Sequence, residues 1–373
     1  MSSYTKTPRK MQPEKNEKRE GAQAPSRSIF YTRGGGFGPG AYLLFSAIAL
    51  GTMILCVCVG SVNIPLKDTL LVVAAALSGG EMPAVMARSI ILSVRIPRVL
   101  CVALVGACLS LCGAAMQGLL KNPPADGSTM GVSSGASLGA IVSIAFGVTI
   151  PGLGFSGTTV MAILFAFASL LFILALTYKL DSSLSTNTII LIGIIFSMFV
   201  SSISNFIITM AGEHVKTITF WTLGSLQNSS YRSALLVFIP LIVCGGILLH
   251  NADELNAFSV GEDNARNIGV NVRRVKLEVL ICISVLIGVC VSLGGTIGFV
   301  GLVTPHILRG ILGPNHRRLL PACVFGGAVF LLIADLICRT VLAPRELPIG
   351  IVTSFVGAIV FVFIFYRQRR RTQ

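Results

Sequence analysis

Apolar residues in this chain run in blocks rather than alternating, and many blocks reach the roughly 17 to 25 residues that an α-helix needs to cross a bilayer. Set against turn and charge signals, they predict ten spans, at about 41–62, 99–120, 130–150, 158–177, 188–211, 234–250, 277–294, 298–312, 319–338 and 349–366. The eighth is short and holds Pro305, a residue that removes a helical hydrogen bond. Residues 64–78 are apolar but flanked by Pro65, Lys67 and Asp68, which predicts a segment lying in the interface rather than crossing.

Composition strengthens this reading. Of the 373 residues 53% are hydrophobic and 12% charged, and the mean hydropathy is +0.83, which excludes an ordinary water-soluble domain. Residues 1–40 differ in kind, with eight Lys or Arg against three Glu among scattered Pro, Ser and Gly. This predicts a disordered basic tail, too long and polar for the n-region of a cleaved signal, with the first helix retained. A ten-helix domain is expected over 41–366, followed by a basic end at 367–373. The ten cysteines lie in apolar segments and read as small packing residues. Cys108 and Cys112 share a helix face, but no neighbouring His or carboxylate completes a metal site.

Charge then orients the bundle. Ten crossings put both termini on one side, and a cytoplasmic tail places twenty of the 29 Lys and Arg inside, eight outside and Arg309 within a span. The positive-inside rule favours that arrangement. The outer minority is Lys67, Arg88, Arg95, Arg98, Lys216, Arg232, Arg339 and Arg345. Such guanidinium groups suit an acidic partner, which they bind bidentately, and equally suit lipid headgroups.

Residues 104–123 align without gaps on 286–305 with eight identities in twenty, among them Cys108/Cys290, Ser110/Ser292, Gly113/Gly295 and Pro123/Pro305. The copies are five crossings apart and so run oppositely through the bilayer, as in inverted-repeat transporters. Gly131, Gly135 and Gly139, four apart, predict a face that lets a neighbouring helix approach closely. The longest polar stretch between spans, 251–276, carries Asp253, Glu254, Glu262 and Asp263 ahead of Arg266, Arg273, Arg274 and Lys276. Gly261 and Gly269 punctuate it into two short helices, a compact loop suited to docking.

Four stretches carry a resemblance. They are RIPRVLCVALVGACLSLCGAAMQGLLKNPPADGSTMGVSSGASLGA, SVGEDNARNIGVNVRR, GGTIGFVGLVTPHILRGILGPNHRRLLP and ADLICRTVLAPRELPIGIVTSFVGA. Together, and in this order, they resemble the FecCD-type permeases of iron-chelate and cobalamin ABC importers from about Ala41 to the end. The departures are Pro124 and Thr304, which stand where the family usually has aliphatic residues, and the long tail. The resemblance implies an all-α protein of type II ABC importer permease architecture in the cytoplasmic membrane of a prokaryote, paired as a homodimer or with a paralogue. Two cytoplasmic ABC ATPase subunits would bind the 251–276 loop, and an extracytoplasmic substrate-binding protein would deliver the ligand. Carried onto this sequence, binding-protein docking falls on Arg95, Arg98 and Arg339. ATPase coupling falls on Gly261, Glu262, Asp263, Ala265, Arg266 and Gly269, and a cytoplasmic gate on Thr186 and Asn187. The cargo would be an iron-siderophore, haem, cobalamin or an oxyanion.

The chain has no GxxxxGK[ST] phosphate loop, so ATP is expected on the partner subunit, with no cofactor, enzymatic activity or nucleic-acid partner in the chain itself. The rival is an ion-coupled secondary transporter, which needs ionisable groups in the membrane. Asp335, Glu278, His306 and Arg309 are its candidates, with Asp335 four residues before Arg339 and so placed for an intrahelical pair.

Overall fold

The computed structural model describes residues 35–62, 64–78, 85–122, 125–126, 131–150, 156–181 and 185–372. Most of the expected 1–40 tail, and Pro123 and Pro124, lie outside them. The helices in chain order are α1 Pro39–Cys58, α2 Leu66–Ser78, α3 Val85–Ser89, α4 Ile96–Leu120, α5 Val132–Ala145, α6 Gly157–Leu180, α7 Thr186–Met210, α8 Val215–Thr222 and α9 Tyr231–His250. They continue with α10 Ala252–Val260, α11 Glu262–Asn267, α12 Val272–Gly294, α13 Val300–Leu312, α14 His316–Thr340 and α15 Ile349–Thr372. Seven helical runs are long and apolar enough to cross a membrane, and α5, α13 and the 349–363 part of α15 are shorter apolar helices. They correspond to the ten expected spans, and the fold is an all-helical membrane bundle.

One local difference from the sequence reading has a physical cause. The second span starts earlier than residue 99, because α3 runs through a π-helical segment, Ile90–Arg95, directly into α4. There the Ile96 N–H reaches Ile91 O. A widened turn can absorb the N–H that Pro97 lacks. The stretch after α7 holds α8 with Trp221, and the apolar segment at 64–78, expected in the interface, contains the helix α2.

Helix α4 is the axle of the bundle. Nearly every residue from Pro97 to Leu120 is buried, as expected of a helix that is apolar all round. Small residues set its spacing to its neighbours. A Cβ on Gly113 would lie 1.8 Å from Gly301 O, and one on Gly106 would lie 2.3 Å from Gly327 O, so α13 and α14 come into backbone contact with it. Gly135 and Gly139 do the same for α5 on α6, where an added Cβ would meet Ser169 Oγ and Met161 O. Gly131, the third of that series, instead caps α5 with φ +77, a conformation open to glycine. All ten cysteines are free thiols, nine buried and Cys58 half-buried, packed as small apolar groups.

Both sequence ends of the bundle point the same way. α1 starts beside the N-terminal end of α14, where Arg318 Nε donates to Gly35 O at 2.6 Å and Asn256 of α10 donates to Asn315 Oδ1 at 3.0 Å. α15 runs alongside α13 toward that end, with Phe299 against Gly357 and Phe361 against His306.

Candidate functional site

The sequence-predicted residues fall at opposite ends of the bundle. At the first, Arg95, Arg98 and Arg339 are 5, 6 and 3% exposed. They are therefore not the outward-facing cluster of free cations that the sequence suggested, because the chain supplies their partners. Arg95 donates to the carbonyls of Val57 and Cys58 at 2.9 and 3.1 Å and to that of Val62. Arg339 donates to Cys56 O and Val59 O at 3.1 and 3.0 Å. Two guanidinium groups thus hold the C-terminus of α1, where helix carbonyls lack intrahelical donors and the dipole favours cations. Arg95 and Arg98 serve different neighbours even though three residues apart.

Arg98 turns to carboxylates. Its Nη2 is 2.8 Å from Asp335 Oδ1 and its Nη1 is 2.7 Å from Glu346 Oε2, while Arg339 Nε sits 2.9 Å from Asp335 Oδ2. Asp335, 1% exposed, is thus shared between α4 and its own helix, and the i,i+4 pair is present. Glu346, in the turn before α15, also accepts from Gln227 Nε2 at 2.8 Å. Burial pushes its carboxyl up, but the hydrogen bond and charge of Arg98, with Gln227, hold it below the usual range. Glu346, Gln227 and Trp221 border a vestibule of about 630 Å³. The exposed cations at this end are Lys67, Arg88, Lys216, Arg232 and Arg345.

Between the ends lies a second cavity of about 550 Å³, walled by α5, α7 and the 295–301 segment. Ser133, Ser134, Ser137, Ser204 and Asn205 give it a hydroxyl and amide lining, with Ile141, Val200 and Ile287 as apolar patches. One wall turns through positive φ, at Gly295 (φ +68), which glycine adopts freely, and at Phe299 (φ +66), where an L side chain is strained. Gln117 Nε2 of α4 reaches Gly301 O at 3.2 Å and braces that wall.

The other end carries the remaining predicted residues. α10 and α11 form the two short helices expected from Gly261 and Gly269, whose φ values are +147 and +92. Ala265 is fully buried and pins α11 down, whereas Asp263 and Arg266 are exposed and only 3.6 Å apart. Glu262 points inward. Its Oε1 accepts from Thr186 Oγ1 at 2.9 Å and lies 2.8 Å from Lys276 Nζ. Burial pushes the Glu262 carboxyl up, but the hydrogen bonds from Lys276 and Thr186 outweigh this and hold it below its ordinary value. The structure therefore joins a predicted gate residue to a predicted coupling residue, while Asn187 is exposed beside them.

The sequence reading missed Lys276 as part of this site. It counted that residue as a loop charge, yet the side chain is 0% exposed. The signal was present: Val272, Val275 and Val279 form the buried stripe of α12, and position 276 falls on that stripe at helical spacing. The same end is fastened by Arg317 to Asp253 and by Asn256, whose Oδ1 accepts from the His316 N–H at 2.8 Å.

These features can be set beside known proteins. Residues 48–367 match the FecCD transport family. The chain is 43% identical to an ABC transporter permease protein, YvrB, of Bacillus subtilis, over 88% of this chain and 94% of that one. It is 37% identical to the hemin transport system permease protein HmuU of Yersinia pestis, over 75% and 84% of the two chains. Among solved structures, a metal-chelate type ABC transporter in an inward-facing conformation superposes with a TM-score of 0.77 at 29% identity, over 88% of this chain and 99% of that one. An apolar helical bundle with a hydroxyl-lined central cavity and a two-helix loop at one end is thus an integral membrane permease of the ABC importer type, and the chain belongs to the FecCD transport family.

Proposed function

We propose that this chain forms the membrane path of an ATP-driven importer carrying an iron-siderophore, haem or cobalamin-type chelate into the cytoplasm. The observation that carries this reading is the 550 Å³ cavity. Its lining is hydroxyl-rich and weakly polar, a wall that lets a bulky ligand pass without trapping it. Ser201 and Asn205 line it and are nonetheless exposed, so one chain does not close the path. A second copy or a paralogue facing α7 completes it.

The end bearing α10 and α11 faces the cytoplasm in this reading, with both termini, in keeping with the positive-inside tally. ATPase subunits dock there on the surface around Gly261, Asp263, Arg266 and Gly269, and they bind the ATP. The gate is formed by Thr186 and Asn187 of each copy. The binding protein lands on the opposite end, over the vestibule and its exposed arginines, with Arg98 reached through its pair with Glu346. An ion-coupled carrier is disfavoured by Asp335, which two arginines pin in place and which does not line the cavity.

Co-expression with an ABC ATPase and a substrate-binding protein from the same organism, followed by reconstitution into vesicles, tests the reading. ATP-dependent uptake of labelled iron-siderophore, haem or cobalamin is expected only when both partners are present. Uptake that follows a proton or sodium gradient, with no ATPase co-purifying, would reject it.

A further inference from the structure

We infer that Glu262, Lys276 and Thr186 form a latch that makes the coupling helix α11 and the cavity-lining helix α7 move as one piece, with Lys276 as its positioning residue. The inference rests on the importer reading above and names the connection by which the ATPase end acts on the path.

The geometry is specific. One carboxylate oxygen, Glu262 Oε1, takes both the Thr186 hydroxyl at 2.9 Å and the Lys276 ammonium at 2.8 Å. Those three residues are the first of α11, the first of α7 and a residue in the second turn of α12. Three elements therefore meet at one atom. Lys276 is 0% exposed, and an ammonium so far from water holds to a carboxylate strongly because the local dielectric is low. Its stem is fixed within the α12 stripe of Val272, Val275 and Val279, so it presents the charge at a fixed place rather than following Glu262 outward. Glu262 keeps 26% of its side chain in water and sits immediately after Gly261, whose φ of +147 gives the chain a bend there.

The lever arm follows from helix geometry. Ser204 and Asn205 of the cavity lie 18 and 19 residues along α7 from Thr186, about 27 Å at 1.5 Å per residue. A displacement of α11 by a partner subunit is thus passed through one carboxylate to the end of the helix that walls the cavity. Without the latch, α11 can shift while α7 stays behind.

Spin labels test this directly. One is placed at Leu191→Cys on α7 and one at Asn267→Cys on α11, both exposed, in a chain with the half-buried Cys58 changed to Ser. The complex with its ATPase subunits is measured by double electron–electron resonance with and without magnesium and a non-hydrolysable ATP analogue. In the otherwise unaltered chain the 191–267 distance distribution is expected to be the same in both states. In Thr186→Val, and in the charge-neutral double variant Glu262→Gln with Lys276→Met, the analogue is expected to shift or broaden it beyond its nucleotide-free width. Thr186→Ser, which keeps the hydroxyl, restores the fixed distance. A distance that changes with nucleotide in the unaltered chain, or stays fixed in both latch variants, overturns the latch. Failure of any ATPase subunit to co-purify with the unlabelled chain would instead count against the importer reading.

Discussion

At the arginine end Asp335 is 1% exposed and faces two guanidinium groups that are themselves buried; at the coupling end Lys276 is fully buried but its partner Glu262 keeps a quarter of its side chain in water. Both are networks of buried charge, yet they differ in what happens when a contact opens. Asp335, Arg98 and Arg339 have no water to fall back on, so opening either pair strands a charge at high cost. Glu262 can swing outward and be solvated. The first network therefore suits a permanent anchor, holding α1, α4 and α14 in register, and the second suits a latch, which holds α11 to α7 while closed and can be opened. The ends of α1 differ too, its C-terminus being clamped by Arg95 and Arg339 while an Arg318 bond reaches Gly35 O just before its start.

The harshest way to break the comparison is Asp335→Ala. It leaves Arg98 and Arg339 buried with their shared carboxylate gone, and removal of one member of a buried pair costs about 3 to 5 kcal/mol. Loss of folded, monodisperse protein in mild detergent is expected, with partial recovery when Arg339→Met is added. A melting temperature within error of the parent for Asp335→Ala would show that the network is no anchor.

The coupling end should respond asymmetrically. Glu262→Ala removes the carboxylate facing a fully buried ammonium, whereas Lys276→Met leaves a carboxylate that can turn to water. The first is expected to destabilise by up to the 3 kcal/mol typical of a broken buried pair, and the second by about 1 kcal/mol, near a lost hydrogen bond. Thermal unfolding of the two variants checks the order. Equal losses would mean that both partners are equally confined, and the distinction between permanent anchor and openable latch would fail.

Gly269→Ala sharpens the comparison at lower cost. Nothing lies within 4 Å of a Cβ placed there, but the φ of +92 is one that L-residues avoid. About 1 kcal/mol of backbone strain is expected, much the same for Ala as for a bulkier side chain, with Asn less costly. A steep dependence on side-chain size would show that the loop packs against something there. At Gly113, by contrast, the φ is helical and the obstacle is Gly301 O at 1.8 Å, so size should matter at once.

The internal repeat shows how much of this was legible. Blocks of apolar residues were enough to find the spans, since length and hydropathy decide them, and the resemblance marked which loop and which turn to watch. The repeat also aligned Gly113 with Gly295 and Gln117 with Phe299, yet the copies fold differently. Gly113 and Gln117 lie inside the continuous α4, while Gly295 and Phe299 stand at positive φ in the break between α12 and α13. Identity at matched positions did not reveal this, because a glycine serves equally for close helix contact and for a turn. Burial was the other blind spot. Arg95 and Arg339 read as surface charge because the carbonyls of Val57, Cys58 and Val59 that they bond are distant in sequence and carry no side-chain signal, and Arg98 because its carboxylate partners Asp335 and Glu346 lie more than two hundred residues further along the chain.

The gentlest test sits where the coupling end meets solvent. Arg317 pairs with Asp253 across α14 and α10, with side chains 44 and 54% exposed. The hydrogen bond from Arg317, with its charge, holds the Asp253 carboxyl below its ordinary value against a smaller upward push from burial. A carboxylate depressed in the folded state adds stability at pH values above its unfolded pKa, and that contribution fades as pH falls through the folded one. Near neutrality the stability should therefore be flat with pH, and a downturn attributable to Asp253 should set in only below about pH 4. Because both groups are largely in water, solvent and salt screen the pair, and Asp253→Asn is expected to cost no more than about 0.2 to 1 kcal/mol. Melting curves at pH 7 in low and high salt should show that small loss vanishing as salt rises. A loss that persisted at high salt, or one as large as that of Glu262→Ala, would mean that α10 is clamped to α14 as tightly as α1 is to its arginines, and the coupling end would then be an anchor too.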